Sequence, residues 1–231
     1  MSAHSRAVVG HVARAAGYVA NQASCHVVRY AANVTCILAL FLALVSPGAS
    51  AQQCLVDAAR EQIGVTLSYD PAYRRLDYPG GDVPIDRGVC TDVLIRAYRA
   101  VGVDLQQLVH EDMRGHFAAY PKNWSLNRPD RNIDHRRVPN LGRFFSRHGQ
   151  QLPLTGDDYQ PGDLLTWRLA SGVPHIGIVS DRKASDGTPL IVHNIGAGTR
   201  EENMLNDYTL TGHYRYRPEA LAASCPVVTP H

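Results

Sequence analysis

Apolar positions recur with helical spacing in the first half of the chain and with strand spacing in the second. Residues 54–63 carry Leu55, Ala58, Ala59 and Gln62/Ile63 at i, i+3, i+4 intervals, which predicts a helix stopped by Gly64. Residues 90–101 repeat the pattern with Val93, Leu94, Ala97, Tyr98 and Val101, and Gly102 follows as a stop. Asp104 is placed to cap a third helix to about residue 119, ended by Pro121. A short fourth helix over 139–147 turns Leu141, Phe144 and Phe145 inward. Beyond Gly149 the period falls to two. Strands are predicted at 164–169, 175–180, 190–194 and 213–217, punctuated by turns at Pro161-Gly162, Ser171–Pro174 and Asp186-Gly187. Helices first and an antiparallel meander after is an α+β order, with N-terminal helices packed on a small sheet.

Two stretches escape both periods. Residues 65–88 are rich in Tyr, Pro, Gly and Asp, and residues 121–138 are polar with many Arg, Asn and Pro. Long loops of this kind in one domain are usually functional, and the second is expected to lie near the site.

Residues 1–51 read as a leader and not as fold. They hold no acidic residue, three arginines, an apolar run at 36–45, and Ala49 and Ala51 before a cleavage point. That is a signal peptide, leaving a single domain over 52–231. The apolar run is half of what spans a bilayer, so no stable membrane anchor is expected after cleavage. A leader starting near Val28 would have ordinary proportions, so the true start is expected downstream of Met1. All 21 acidic residues and 20 of the 23 Lys and Arg follow residue 51, a formal charge of −1 for the exported part. No basic run interleaved with aromatics is present, so nucleic acid is not an expected partner. Export to a periplasmic or extracellular space permits disulfides. Cys54, Cys90 and Cys225 remain, and pairing of Cys54 with Cys225, near the two ends, leaves Cys90 reduced.

Cys90 carries the candidate chemistry. It opens the second predicted helix, where the macrodipole and unpaired N–H groups favour thiolate. His175 opens a strand and His193 ends the next one. Antiparallel pairing brings such positions together, so a Cys90–His175–His193 relay is expected. His175 would be the base and His193 would fix its tautomer, with Asn194 as fallback. The Cys90 backbone N–H and the Tyr78 hydroxyl are candidates for an oxyanion hole, and Arg136 and Arg137 for a substrate carboxylate. No His or Cys spacing points to zinc, and no cofactor is called for.

The order of motifs adds a resemblance. Tyr78-Pro-Gly-Gly81, Gly88-Val-Cys-Thr-Asp-Val-Leu94, Gly162-Asp-Leu-Leu-Thr-Trp167, Pro174-His-Ile-Gly-Ile-Val179 and Ile191-Val-His193 follow one another as in the NlpC-type cysteine peptidases and amidases. The wording of 76–92 and 131–137 is similar to the YijF-like exported proteins, a family of unknown function. The resemblance implies a reduced papain-like fold over about 55–217 and an exported thiol hydrolase acting on an amide in cell-wall peptides. A non-catalytic peptide-binding module and a zinc site of Cys90, His175 and His193 are the rivals. Two departures stand out. Asp92 occupies the first helical turn, where it opposes a thiolate if it points that way. The segment 104–150 is longer than the minimal family has.

Overall fold

Sheet and helices meet along one apolar seam. In the computed structural model, residues 51–125 and 127–218 are described. Four helices occur there: α1 (Ala51–Arg60), α2 (Cys90–Ala100), α3 (Leu105–His116) and α4 (Val138–His148). A two-residue parallel pair, β1 (Ser68–Tyr69) and β2 (Arg87–Gly88), precedes α2. The main sheet contains β3 (Gln150–Gln151), β4 (Leu164–Arg168), β5 (Pro174–Lys183), β6 (Pro189–His193), β7 (Arg200–Glu202) and β8 (Thr209–Arg215). Its order is β3-β8-β4-β5-β6-β7, with all neighbouring strands antiparallel. This is the α+β arrangement expected, with β8 returning beside β4 to close the meander.

Both faces of the central strands are buried, which is why β4 and β5 read as nearly continuous apolar runs. Leu164, Ile176, Ile178 and Val192 face the helices and join Leu55, Leu94, Val109 and Phe145 in the larger core. Leu165, Trp167, Val179 and Ile191 point the other way and pack on Met204 and Leu205. Helix α2 is central. The predicted stripe of Val93, Leu94, Ala97, Tyr98 and Val101 is buried, but so are Thr91, Asp92 and Arg96. A helix sunk this deep cannot slide, so the position of its first residue is fixed.

The loop before α2 is ordered by side chains that satisfy its carbonyls. Arg96 donates to Asp82 (2.8 Å) and to the carbonyls of Val83 (3.2 Å), Pro84 (3.3 Å) and Arg87 (3.0 Å). Asn194, just past β6, donates to the carbonyls of Ser68 (3.3 Å) and Gly88 (3.1 Å). Cys54 is disulfide-bonded, and Cys90 is the free cysteine among the described residues. The expected partner Cys225 and the expected leader both lie outside the described residues.

Gly177 sets how closely β5 and β6 approach. A Cβ there would sit 2.5 Å from Ile191 Cγ2 and 3.2 Å from His193 Cβ. The substitution Gly177→Ala is therefore expected to cost about 1–3 kcal/mol by overpacking. A denaturant melt of the variant against the parent measures it.

Candidate active site

The site begins with how Cys90 is held. Gly88 and Val89 lead into α2, and Asp92 reaches back so that its Oδ2 accepts the Val89 N–H at 2.7 Å. Asp92 N–H in turn donates to the Val89 carbonyl at 3.0 Å. A Cβ at 88 would lie 3.0 Å from that same Asp92 oxygen, so a larger residue there would press on the cap. The Asp92 charge is met by Arg136, whose Nε and Nη2 donate to Oδ1 and Oδ2, both at 2.9 Å. Both side chains are almost wholly buried. Arg136 also donates to the carbonyls of Asp70 and Ala72, each at 3.1 Å. Asp92 is thus a cap and an ion-pair partner.

The sheet supplies the imidazoles. His193 pairs with Arg200, and Ile191 with Glu202, while Ile178 pairs with Val192. With a period of two, that register puts His175, His193 and Glu202 on one face of three adjacent strands as diagonal neighbours. His175 Nε2 and His193 Nδ1 are 3.0 Å apart, and His193 Nε2 lies 3.2 Å from Glu202 Oε2. A carboxylate only accepts, so His193 carries its proton on Nε2 and offers the Nδ1 lone pair. His175 must then donate from Nε2, which leaves its Nδ1 as the basic lone pair.

Cys90 clusters with Ile176 and Ile178 on the helix side of the sheet, whereas His175 and His193 share the side of Trp167 and Ile191, so the thiol meets the His175 strand at its backbone. The N–H groups of Ile176, the residue after His175, and of Thr91 and Cys90 itself lie near enough to the sulfur to favour its charged form. No hydrogen bond between the thiol and His175 occurs among the described residues. Burial pushes the Cys90 thiol up to about 12, the three N–H donors pulling it down and the Asp92 charge adding to the rise. Burial likewise pushes His175 down to about 3, with the neighbouring His193 contributing. His193 is lowered by burial against the opposing pull of Glu202. The helix-terminus expectation of a resting thiolate is therefore corrected. Removing the sulfur from water outweighs the dipole and its N–H groups, and the resting pair is neutral thiol and neutral imidazole.

A cleft of about 300 Å³ opens on Cys90, lined by Tyr69, Val89, Trp124, Arg137, Val138 and Pro174 among others. The 121–138 excursion does border the site. Arg137 is half-buried there, its guanidinium 4.2 Å from the Trp124 ring centre. Three other sequence expectations are revised. Arg136 also touches the cleft, but its guanidinium is consumed by Asp92 and two carbonyls, so no donor fork is left for a substrate. Asn194 is fully buried and holds the loop before Cys90, as its side chain lies beyond reach of solvent and substrate. Tyr78 packs edge-on to His110 at 5.3 Å, and is not among the residues lining the Cys90 cleft. Tyr69 occupies the place expected for it. Its hydroxyl is pushed up to about 12 by burial first, then by Cys90 and Asp92. Tyr69 and Glu202 were missed by sequence reasoning. The alternation of Ile191-Val-His193 with Arg200-Glu-Glu202 across a Gly-rich turn was the available signal for the second. Among the described residues, no three of His, Cys, Asp and Glu are grouped to hold a metal ion.

Fold and site together define an α+β domain with a buried cysteine at a helix start and a His–His–Glu relay on the adjoining sheet. Residues 56–216 match the family described as Domain of unknown function (DUF1287), and the chain belongs to that family. The uncharacterized protein YijF of Escherichia coli (strain K12) is 59% identical over 170 residues, which cover 73% of this chain and 83% of that protein. Among solved structures, NlpC1 from Trichomonas vaginalis is similar over 73% of this chain, at 14% identity and a TM-score of 0.40. The match covers 45% of that protein's chain, so this chain spans under half its length.

Two outcomes follow from the geometry. Alkylation of Cys90 by iodoacetamide is expected to climb about tenfold per pH unit from pH 7 to 10 without a plateau, as a thiol far below its titration point must. Mass spectrometry of quenched time points reads it, and a plateau near neutrality would refute the neutral resting pair. Replacing Arg136 by Ala strands a buried carboxylate and is expected to cost about 3–5 kcal/mol, measured by chemical denaturation.

Proposed function

We propose that this domain is an exported thiol hydrolase that cleaves an amide bond in cell-wall peptides, with Cys90 as nucleophile and His175 and His193 as its catalytic relay. One observation carries the reading: the free, buried Cys90 packs with Ile176, next to His175 on the same strand, and His175 Nε2 lies 3.0 Å from His193 Nδ1. Five motifs in the order of the NlpC-type peptidases support it.

The chemistry follows from the tautomers. As the sulfur attacks the amide carbonyl, its proton passes to His175 Nδ1. The imidazolium is steadied through Nε2–H by His193, which Glu202 orients. The oxyanion is met by the Cys90 N–H and by the Tyr69 hydroxyl, a donor because it stays protonated far into the alkaline range. His175 then gives its proton to the departing amine. A thioester remains, and water activated by His175 hydrolyses it, freeing the thiol. Because thiol and imidazole start neutral, deprotonation is coupled to attack and not completed beforehand.

Compartment and substrate belong to the same proposal. The leader read from residues 1–51 supports export to the periplasm or beyond. A second reading is favoured by the deep burial of the thiol: a cleft that binds wall peptides without cutting them.

Digestion of purified peptidoglycan, read as muropeptides by mass spectrometry, separates the two. The active reading expects new fragments that vanish with Cys90→Ala and fall by about 10²–10⁴ in rate with His175→Ala. It expects a milder loss with Glu202→Gln. Pull-down on peptidoglycan with unchanged fragment profiles would leave the binding module. The pH dependence is also fixed in sign. With His175 pushed down to about 3 and Cys90 up to about 12, the productive neutral form spans both, so kcat/KM is expected to stay level from about pH 5 to 9.

A further inference from the structure

The cavity beside the thiol carries two guanidinium groups, Arg143 and Arg168, that make no ion pair among the described residues. Next to the Cys90 cleft lies a larger cavity of about 480 Å³, which shares Val138, Pro139 and Pro174 with it. Its lining includes the guanidinium residues Arg143 and Arg168 and the hydroxyls of Ser146 and Thr166. Among the described residues, neither cavity has an aspartate or glutamate in its wall. This is unusual in a chain where acidic groups are plentiful and most arginines are paired. Arg60, Arg96, Arg136, Arg147 and Arg215 each sit against a carboxylate. Arg143 instead uses Nε on the Ala119 carbonyl at 2.8 Å, which leaves its two terminal nitrogens open. Arg168 follows Trp167 at the exposed end of β4 and has no ion-pair partner among the described residues. Arg137 in the adjoining cleft likewise stacks on Trp124 and has no ion pair of its own.

We propose that Arg143 and Arg168 form an anion subsite beside the thiol, which takes a carboxylate of the peptide whose amide lies at Cys90. The inference rests on the hydrolase reading for its substrate, and it narrows that substrate to acidic peptides. A guanidinium presents a planar fork that matches a carboxylate with two parallel hydrogen bonds. Two unpaired forks in one depression, with Arg137 beside them partly offset by Asp134 and Asp130, give a positive field that favours anionic over neutral ligands of the same shape. The position is set by the fold. Arg143 stands on α4 two turns from the Arg136–Asp92 anchor, and Arg168 on the strand that pairs with β5. The subsite is therefore fixed relative to His175 by the sheet register, Arg168 pairing with Pro174. Of the expected Arg136–Arg137 carboxylate clamp, Arg136 is spent on Asp92 and Arg137 stays in the cleft, with Arg143 and Arg168 one step further along the groove.

The test uses the full chain carrying Cys90→Ala, so that no turnover intervenes. Two probes are titrated by calorimetry at low salt: acetyl-Glu-Glu-amide and its neutral isostere acetyl-Gln-Gln-amide. The acidic probe should bind more tightly by about tenfold or more, the scale of one charge-assisted hydrogen bond. Arg143→Gln and Arg168→Gln should each erase that preference, and Lys183→Gln, an exposed cation far along β5, should leave it intact. Equal affinity for the two probes, absence of binding by either, or a preference that survives both arginine variants would overturn the subsite. Binding here is independent of cleavage. A protein that holds the acidic probe but leaves peptidoglycan uncut loses the hydrolase and keeps the subsite, and the converse result loses the subsite alone.

Discussion

The buried pair of Asp92 and Arg136 is the contact on which the site's geometry hangs. Asp92 sits two residues past the nucleophile candidate and closes the helix start by accepting the Val89 N–H. An uncompensated carboxylate at that depth would cost several kcal/mol, about the penalty of any buried unpaired ion. Arg136 supplies the counter-charge and spends its other donors on two carbonyls of the 66–88 loop. One guanidinium therefore joins three segments: the loop before α2, the first turn of α2, and the segment that leads into α4. Such a pair adds little net stability over an apolar packing. It specifies a single arrangement, since no other register satisfies both oxygens and both carbonyls.

The same burial decides the chemistry at rest. A helix start alone would favour a thiolate, and an isolated imidazole would titrate near neutrality. Each being buried, both are pushed to their uncharged forms, in opposite directions along the pH scale. Charge separation then has to be created in the reacting complex, where the Ile176, Thr91 and Cys90 N–H groups already lie near the sulfur. Preorganised donors of this kind act on charge as it develops and need no rearrangement at that moment.

Much of this was legible in the chain, for identifiable reasons. The four long helices and the strands β4, β5, β6 and β8 announce themselves by period, because each buries a face. The two imidazoles were legible because strand ends have a predictable neighbour. The short strands β1, β2, β3 and β7 were not, since two or three residues cannot display a period. Glu202 was lost with β7. Arg136 read as a candidate for a substrate carboxylate because a polar loop hides which of its charges turn inward, and the sequence distance of 44 residues to Asp92 gives no hint of pairing. Tyr78 and Tyr69 are equally plausible from composition. Only the parallel pairing of Ser68 with Arg87, which carries Tyr69 back beside Gly88, distinguishes them.

Charge inside the domain and charge in the groove obey different rules, and the contrast carries meaning. Where arginines are buried, each has its carboxylate, because the interior tolerates nothing else. At the groove a carboxylate partner could have been supplied with ease from a surface rich in aspartate, and is not. Leaving Arg137, Arg143 and Arg168 unpaired has no folding benefit, since mutual repulsion of like charges opposes the compact state. A depression that reaches a free thiol, holds Arg143 and Arg168 without ion pairs and has no aspartate or glutamate in its wall among the described residues is arranged to meet an anion from outside.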